Sequence, residues 1–351
     1  MASEREGFLD FRGMKVWYHV AGPLPAPPGT PPLLLLHGGP GGSSDGFEPF
    51  DALADQGRTV IRYDELGSGR SDRPHDPSLW TPATFVDLLD RVRTELALDP
   101  VHLLGWSWGG MLIMEYFRRQ PKGVASVTLT SAPASIPDYI EDADRLRATL
   151  PKHVLRAMAR FESRWEPPTR KTVFTVDPGL TSEAIDKQAA MMRRMATLAA
   201  RPASVRIAAA LTRLFPRSQA LYDAVGLSYV TEHIIRARPL PLSVGKMLAA
   251  TSREVYETMW GPSEFFGGGT LVDWDAHDWL GQIDVPALVT CGRHDTVPPD
   301  RAKVVADRIP DAELVVFEES GHSAMYDEPE RYFATLTDFL ARVDARRAGE
   351  A

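Results

Sequence analysis

The chain has a single cysteine, Cys291, no apolar run approaching the length of a membrane span, and none of the short motifs that hold a nucleotide or a metal. Each absence narrows the field. One thiol cannot close an internal disulfide, so the fold has to be held by its core. The stretch from Met1 to Val20 shows no basic start followed by a long apolar run, so no secretory signal is expected and the cytoplasm is the default location. No window comes near the ~18 consecutive apolar residues of a spanning helix, and no membrane is expected as a partner. Neither Gly-x-x-x-x-Gly-Lys-[Ser/Thr] nor His-Glu-x-x-His occurs, and the nine histidines show no ligand spacing, so no metal and no cofactor are expected. Gly67-Ser68-Gly69 follows a strand pattern, but Asp72 stands where a dinucleotide fingerprint needs its third glycine. A net charge of −8 disfavours a nucleic-acid backbone as partner.

What remains is a chain of 351 residues, 44% hydrophobic and 25% charged, long enough for a large core plus one sizeable insertion. Gly7 to Val20 reads as two short strands around Arg12-Gly13. A proline-rich connector, Pro23 to Pro32, leads to the strand Leu33-Leu34-Leu35-Leu36 and then to the loop His37-Gly38-Gly39-Pro40-Gly41-Gly42. Arg58 to Asp64, Val101 to Leu104 and Val124 to Thr130 read as further strands. Thr81-Pro82 opens a helix with Phe85, Leu88, Leu89, Val92 and Leu96 at helical spacing, and Met111 to Arg119 makes another. Short apolar strands alternating with helices predict a mostly parallel sheet covered on both faces.

After Ser131-Ala132-Pro133 the alternation stops. From about Ile136 to Met259 the chain is helix-forming and punctuated by Pro151, Pro167-Pro168, Pro202, Pro216 and Pro239, which predicts an all-helical insertion. The strand pattern returns at Pro286 to Thr290 and at Glu313 to Phe317, and a helix from about Pro329 to Arg346 closes the chain. The expected division is a core of residues 1–134 and 273–351 interrupted by a lid of residues 135–272.

The chemistry is concentrated in Gly105-Trp106-Ser107-Trp108-Gly109, a serine between an apolar strand and a helical pattern. Small residues two before and two after the serine allow the sharp strand-to-helix turn that exposes its hydroxyl, the geometry of a nucleophile elbow. A serine hydroxyl needs a base, and the base needs an orienting acid. His322, in Ser320-Gly321-His322, and Asp295, in Arg293-His294-Asp295, each follow a predicted strand, so all three residues fall at the strand ends where parallel sheets place their sites. Asp295 could instead cap the helix starting near Pro299, and His294 is a rival base. The order Ser107, Asp295, His322 is that of an α/β-hydrolase. Oxyanion donors are expected from the backbone N–H groups of Trp108 and of Gly39, where glycine allows close approach, and loss of such a donor costs on the order of 3 kcal/mol. His37 reads as structural, holding the glycine loop.

His37-Gly38-Gly39-Pro40-Gly41, Asp64-Glu65-Leu66-Gly67-Ser68-Gly69-Arg70-Ser71 and Gly105-Trp106-Ser107-Trp108-Gly109-Gly110 together resemble the proline iminopeptidase family, α/β-hydrolase serine aminopeptidases that include the tricorn-interacting type. Trp260-Gly261-Pro262-Ser263-Glu264-Phe265 and Val272-Asp273-Trp274-Asp275 resemble that family's lid exit, while residues 160–220 match it poorly and suggest a longer lid. The resemblance implies an α/β-hydrolase fold and removal of an N-terminal residue, often proline, from short peptides or amino-acid amides. It also implies that Glu264 binds the substrate amine. A free α-ammonium taken out of water needs an anion, and Glu232 is a second candidate that reads equally well as a solvated helix glutamate. Glu254 and Glu257 read as surface charges. A pocket for proline would be aromatic, with Trp106, Trp108, Tyr139 and Phe265 as candidates that core packing explains as readily. Two other functions share these features: a carboxylesterase, lactonase or amidase of specialised metabolism, and a hydrolase-fold receptor that binds without turnover.

Overall fold

The computed structural model describes residues 3–166, 176–199 and 201–350. Eight strands of the described residues form one sheet: β1 (Glu4–Phe11), β2 (Met14–Ala21), β3 (Leu33–Leu36), β4 (Val60–Tyr63), β5 (Val101–Trp106), β6 (Val124–Thr130), β7 (Ala287–Gly292) and β8 (Ala312–Phe317). Their spatial order is β1-β2-β4-β3-β5-β6-β7-β8. From β4 to β8 every pairing is parallel, and the hairpin β1-β2 adds an antiparallel edge. That hairpin turns at Arg12 and Gly13, both with positive φ, which is where the sequence places the turn.

The apolar runs sit where a two-sided sheet needs them. Leu34 and Leu36 of β3 face one core layer with Leu103, while Leu33 and Leu35 face the other with Leu104 and Trp106. Each buried leucine is worth roughly 1.5–3 kcal/mol, which is why a strand of four leucines can occupy the centre of the sheet. Helix α1 (Pro82–Glu95) starts on Thr81, whose hydroxyl accepts from the Thr84 N–H at 3.2 Å, and buries Phe85, Leu88, Leu89 and Val92 against the first layer. Helix α2 (Trp108–Phe117) follows β5 directly.

Between β6 and β7 lie α3 (Ile136–Arg147), α4 (Lys152–Glu162), α5 (Ser182–Ala199), α6 (Pro202–Leu211), α7 (Gln219–Tyr229), α8 (Leu242–Ala250) and α9 (Arg253–Met259). The insertion leaves and rejoins the core at one place: the Ile136 N–H donates to the Trp274 carbonyl at 2.9 Å, and the Ala276 N–H to the Ala134 carbonyl at 2.6 Å. It is not wholly helical. Val176–Asp177 pairs antiparallel with Arg73–Pro74 of the core, a two-residue bridge too short to leave a periodic signal in sequence. Residues 167–175, and with them Pro167-Pro168 of the suspected lid extension, lie outside the described residues. After β7 come α10 (Pro299–Arg308), then β8, α11 (Ala324–Asp327) and the long α12 (Pro329–Glu350). No described helix is long and apolar enough to cross a membrane.

Candidate active site

Ser107 sits at the junction of β5 and α2 with φ 56° and ψ −116°, a conformation few non-glycine residues adopt and one held here by packing on both sides. The two elbow glycines are small because backbone occupies the space a side chain would need. A Cβ on Gly105 would lie 2.3 Å from the Gly109 carbonyl, and one on Gly109 would lie 2.0 Å from the Leu36 carbonyl oxygen. Trp108 is the first residue of α2, so its N–H is among the helix donors with no intrahelical acceptor. The glycine loop after β3 lies against the elbow, with the Cβ position of Gly38 3.5 Å from Ser107 Cβ. Gly39 has φ 133°, outside the range of ordinary side chains. His37 fixes this loop: its Nδ1 donates to the Gly38 carbonyl at 2.9 Å and its Nε2 accepts from the Glu65 N–H at 3.1 Å.

The sheet brings Asp295 and His322 together from the ends of β7 and β8. His322 Nδ1 donates to Asp295 Oδ1 at 2.7 Å, and both side chains are buried. Asp295 is itself held by the Val297 N–H at 2.9 Å and the Thr296 hydroxyl at 3.3 Å. It does not cap α10, whose cap residue is Pro298. The ring that the Asp295 carboxylate holds is that of His322, while the His294 backbone carbonyl accepts from His233 Nδ1 at 2.9 Å. The lid also grips the histidine loop, since the His322 N–H donates to the His233 carbonyl at 2.8 Å. Burial opposes a charge on the His322 ring, yet the Asp295 carboxylate beside it, with Glu264 further off, outweighs burial and holds the ring above the ordinary histidine value.

His322 Nε2 is buried with no hydrogen-bond partner among the described residues, Ser107 Oγ included. The sequence leads one to expect the serine and histidine in direct contact. Catalytic hydrogen bonds in unliganded enzymes are commonly long and tighten only in the substrate complex.

Glu264 projects from the lid toward this centre. The Tyr256 hydroxyl of α9 donates to its Oε1 at 2.8 Å, and the Tyr139 hydroxyl of α3 donates to its backbone carbonyl at 2.9 Å. Burial raises its carboxyl above the usual value, against the pull of His322 and the Tyr256 hydrogen bond. Tyr229, at the end of α7, is fully buried with its hydroxyl unpartnered among the described residues. Its ring lies 5.1 Å from Phe265 and 4.8 Å from His233, and Glu264 and Asp295 both bear on it electrostatically.

Several expected residues turn out to be placed for other work. Glu232 is exposed and paired with Arg236 at 3.0 Å, four residues on, whereas Glu264 is the lid carboxylate that bears electrostatically on His322. Trp106 donates from Nε1 to the His322 carbonyl at 3.0 Å, and Trp108 from Nε1 to Glu65 at 3.0 Å. The first steadies the histidine loop and the second packs under the elbow; neither indole N–H is left for a ligand. Tyr139 and Phe265 remain beside Glu264, packed on Trp260 and Tyr229 respectively. The Tyr256 and Tyr229 contributions escaped sequence reasoning. They depend on how lid helices pack over the sheet edge, for which a single sequence carries no signal.

The parallel sheet, the elbow after β5, and the acid and histidine after β7 and β8 define an α/β hydrolase. Residues 31–194 match the family model for the alpha/beta hydrolase fold. The chain is 37% identical to a proline iminopeptidase of Levilactobacillus brevis over 97% of both chains, and 33% identical to one from Heyndrickxia coagulans over 95% of this chain and 98% of the relative. Among solved structures it is similar to the proline iminopeptidase of Mycobacterium smegmatis, with TM-score 0.75 and 32% identity over 98% of this chain and all of that one. It is also similar to VinJ, with TM-score 0.78 and 30% identity over 97% and 99% of the two chains. The chain belongs to the proline iminopeptidase family.

Proposed function

We propose that this protein is a serine aminopeptidase that releases an N-terminal residue, proline by preference, from short peptides or amino-acid amides. In this scheme the core of residues 1–134 and 273–351 supplies the reacting groups and the lid of residues 135–272 supplies recognition of the amine. Ser107 Oγ attacks the scissile carbonyl carbon while His322 Nε2 takes its proton, and Asp295 keeps the ring oriented with Nδ1–H toward its carboxylate. The N–H groups of Gly39 and Trp108 receive the oxyanion. His322 then returns the proton to the departing amine. Water, activated in the same way, hydrolyses the acyl-enzyme and frees the amino acid.

The observation that carries the peptidase assignment is Glu264, a carboxylate held in a largely dehydrated position by Tyr256 and close enough to His322 for each to shift the other. An esterase or lactonase has no use for an anion there. An aminopeptidase needs one, because a desolvated ammonium without a counter-charge is prohibitively unfavourable. A prolyl ammonium is a secondary amine with two N–H donors, and two acceptors suit it: the Glu264 oxygen not bonded to Tyr256, and the unpartnered Tyr229 hydroxyl.

The test compares prolyl β-naphthylamide with its N-acetyl analogue. Cleavage of the free-amine compound at least ~100-fold faster in kcat/KM is expected, the size of an unpaired buried charge. Equal rates would remove the aminopeptidase assignment.

A further inference from the structure

The chain is acidic, but not uniformly. Of its 39 lysines and arginines, seven fall between residues 187 and 217, namely Lys187, Arg193, Arg194, Arg201, Arg206, Arg213 and Arg217, and none of its 47 acidic residues does. This segment comprises most of α5, all of α6 and the turn that follows. None of the seven cations pairs with a carboxylate among the described residues, although most other arginines of the protein do.

Among the described residues, the five most exposed large apolar side chains, Leu214, Ile207, Phe215, Met191 and Met195, all lie in this segment. Met191, Met195 and Leu198 recur at helical spacing on the outer side of α5, and Ile207 and Leu211 on that of α6; Leu214 and Phe215 project from the turn beyond, 73% and 59% exposed. The inner sides of these helices are conventional, with Ile185 and Ala189 of α5 and Val205, Ala208 and Ala209 of α6 buried. The outer sides therefore join unpartnered cations to large apolar groups, the combination that distinguishes helices lying in a membrane interface.

We infer that the outer face of α5, α6 and the 212–217 turn is a docking surface for an anionic lipid bilayer. Charge selects the occupant. A second copy of the chain would bring a further seven cations against these seven. An acidic protein would need carboxylates fixed in register with cations on two helices and a turn, whereas lipid headgroups rearrange to meet them. A bilayer also accommodates single apolar side chains projecting between the cations, with Leu214 and Phe215 entering the acyl boundary. Because all the excess negative charge lies outside this segment, the rest of the molecule is repelled by the same surface, and approach is oriented lid-first. The lack of a spanning run, on which the expectation of no membrane partner rested, does not bear on surface association.

The test is co-sedimentation of the full-length protein with vesicles of phosphatidylcholine alone and with 40% phosphatidylglycerol. Binding to the anionic vesicles is expected, with little to the neutral ones and release at high salt. Reversing Arg194, Arg201, Arg206 and Arg213 to glutamate should weaken binding more than ~100-fold, each cation near the surface being worth about a factor of five. Leu214→Ser with Phe215→Ser should weaken it at least ~10-fold. Both variants should hydrolyse a soluble substrate at the parental rate, which shows that they fold. No binding of the parent to anionic vesicles overturns the inference. So does retention of binding in either variant, as does binding to polyglutamate at matched charge with equal or greater affinity and no dependence on Leu214 and Phe215, which would assign the face to an acidic macromolecule.

Discussion

The hydroxyl of Tyr256, on the last lid helix, donates to Glu264 Oε1 at 2.8 Å and so orients the carboxylate that faces His322. This contact favours the ionised carboxylate against the burial that disfavours it. Tyr256→Phe removes the donor and raises the Glu264 carboxyl further. The expected result is a fall of about 10-fold in kcat/KM for free-amine substrates at neutral pH, the value of one hydrogen bond to a charged group. The acid limb of the profile should also move to higher pH. An N-acetylated substrate should show neither change.

The pH dependence follows from His322. The ring must be neutral to accept the Ser107 proton, and although burial lowers its proton affinity, Asp295 and then Glu264 raise it above the ordinary value of 6.5. Activity is therefore lost as pH falls through a point above that value, where a free histidine would still be half active. The matching stability contribution has the opposite dependence: it is present in full below the unfolded histidine value and is lost as pH rises through the folded one. Asp295→Asn should lower kcat by about four orders of magnitude through loss of ring orientation, with KM little changed. The pH profile of kcat/KM, taken with stopped assays across pH 5 to 9, measures both effects.

Trp106 separates positioning from binding. Its indole N–H donates to the His322 carbonyl at 3.0 Å, and its ring lies 6.2 Å from the imidazole. Trp106→Phe keeps an aromatic ring and deletes the donor. A drop of about 10-fold in kcat with KM unchanged is expected if the indole steadies the base, the magnitude of one buried hydrogen bond. A rise in KM alone would return Trp106 to the substrate pocket.

Arg70 holds a buried charge cluster beneath the glycine loop. Its Nη2 donates to Asp45 Oδ1 at 2.7 Å and its Nη1 to Asp64 Oδ2 at 3.2 Å, and Asp64 also accepts from the Ser44 N–H and hydroxyl. Burial works against the Asp64 charge, but Arg70 and these donors keep its carboxyl below the usual range. Arg70→Ala leaves two carboxylates buried without their cation and should cost about 3–5 kcal/mol, read as a lower midpoint in urea unfolding.

Much of the fold and the reacting centre was legible in the sequence because it depends on local pattern. The all-leucine β3, the helix opened by Thr81-Pro82 and the glycines flanking Ser107 each state their geometry within a few residues, and Asp295 and His322 were placed by following strands to their ends. The lid was legible only as helix. Which faces meet the core depends on tertiary packing, so Tyr256 and Tyr229 could not be picked from other aromatic residues. Glu232 is instructive in the other direction. Arg236 stands four residues on, the spacing of an exposed helical ion pair, and that signal was available from the sequence. Trp106 and Trp108 read from sequence as pocket candidates that core packing explains as readily, and their indole N–H groups go to the His322 carbonyl and the Glu65 carboxylate.

The most direct measurement of the central claim is kcat/KM of the parent and of Glu264→Gln on prolyl β-naphthylamide and its N-acetyl analogue side by side. Glutamine keeps the shape and removes the charge, so the free-amine substrate should lose about 100-fold or more while the acetylated one is unaffected or improved. An equal change on both substrates, or none on either, would contradict a lid carboxylate that recognises the free amine.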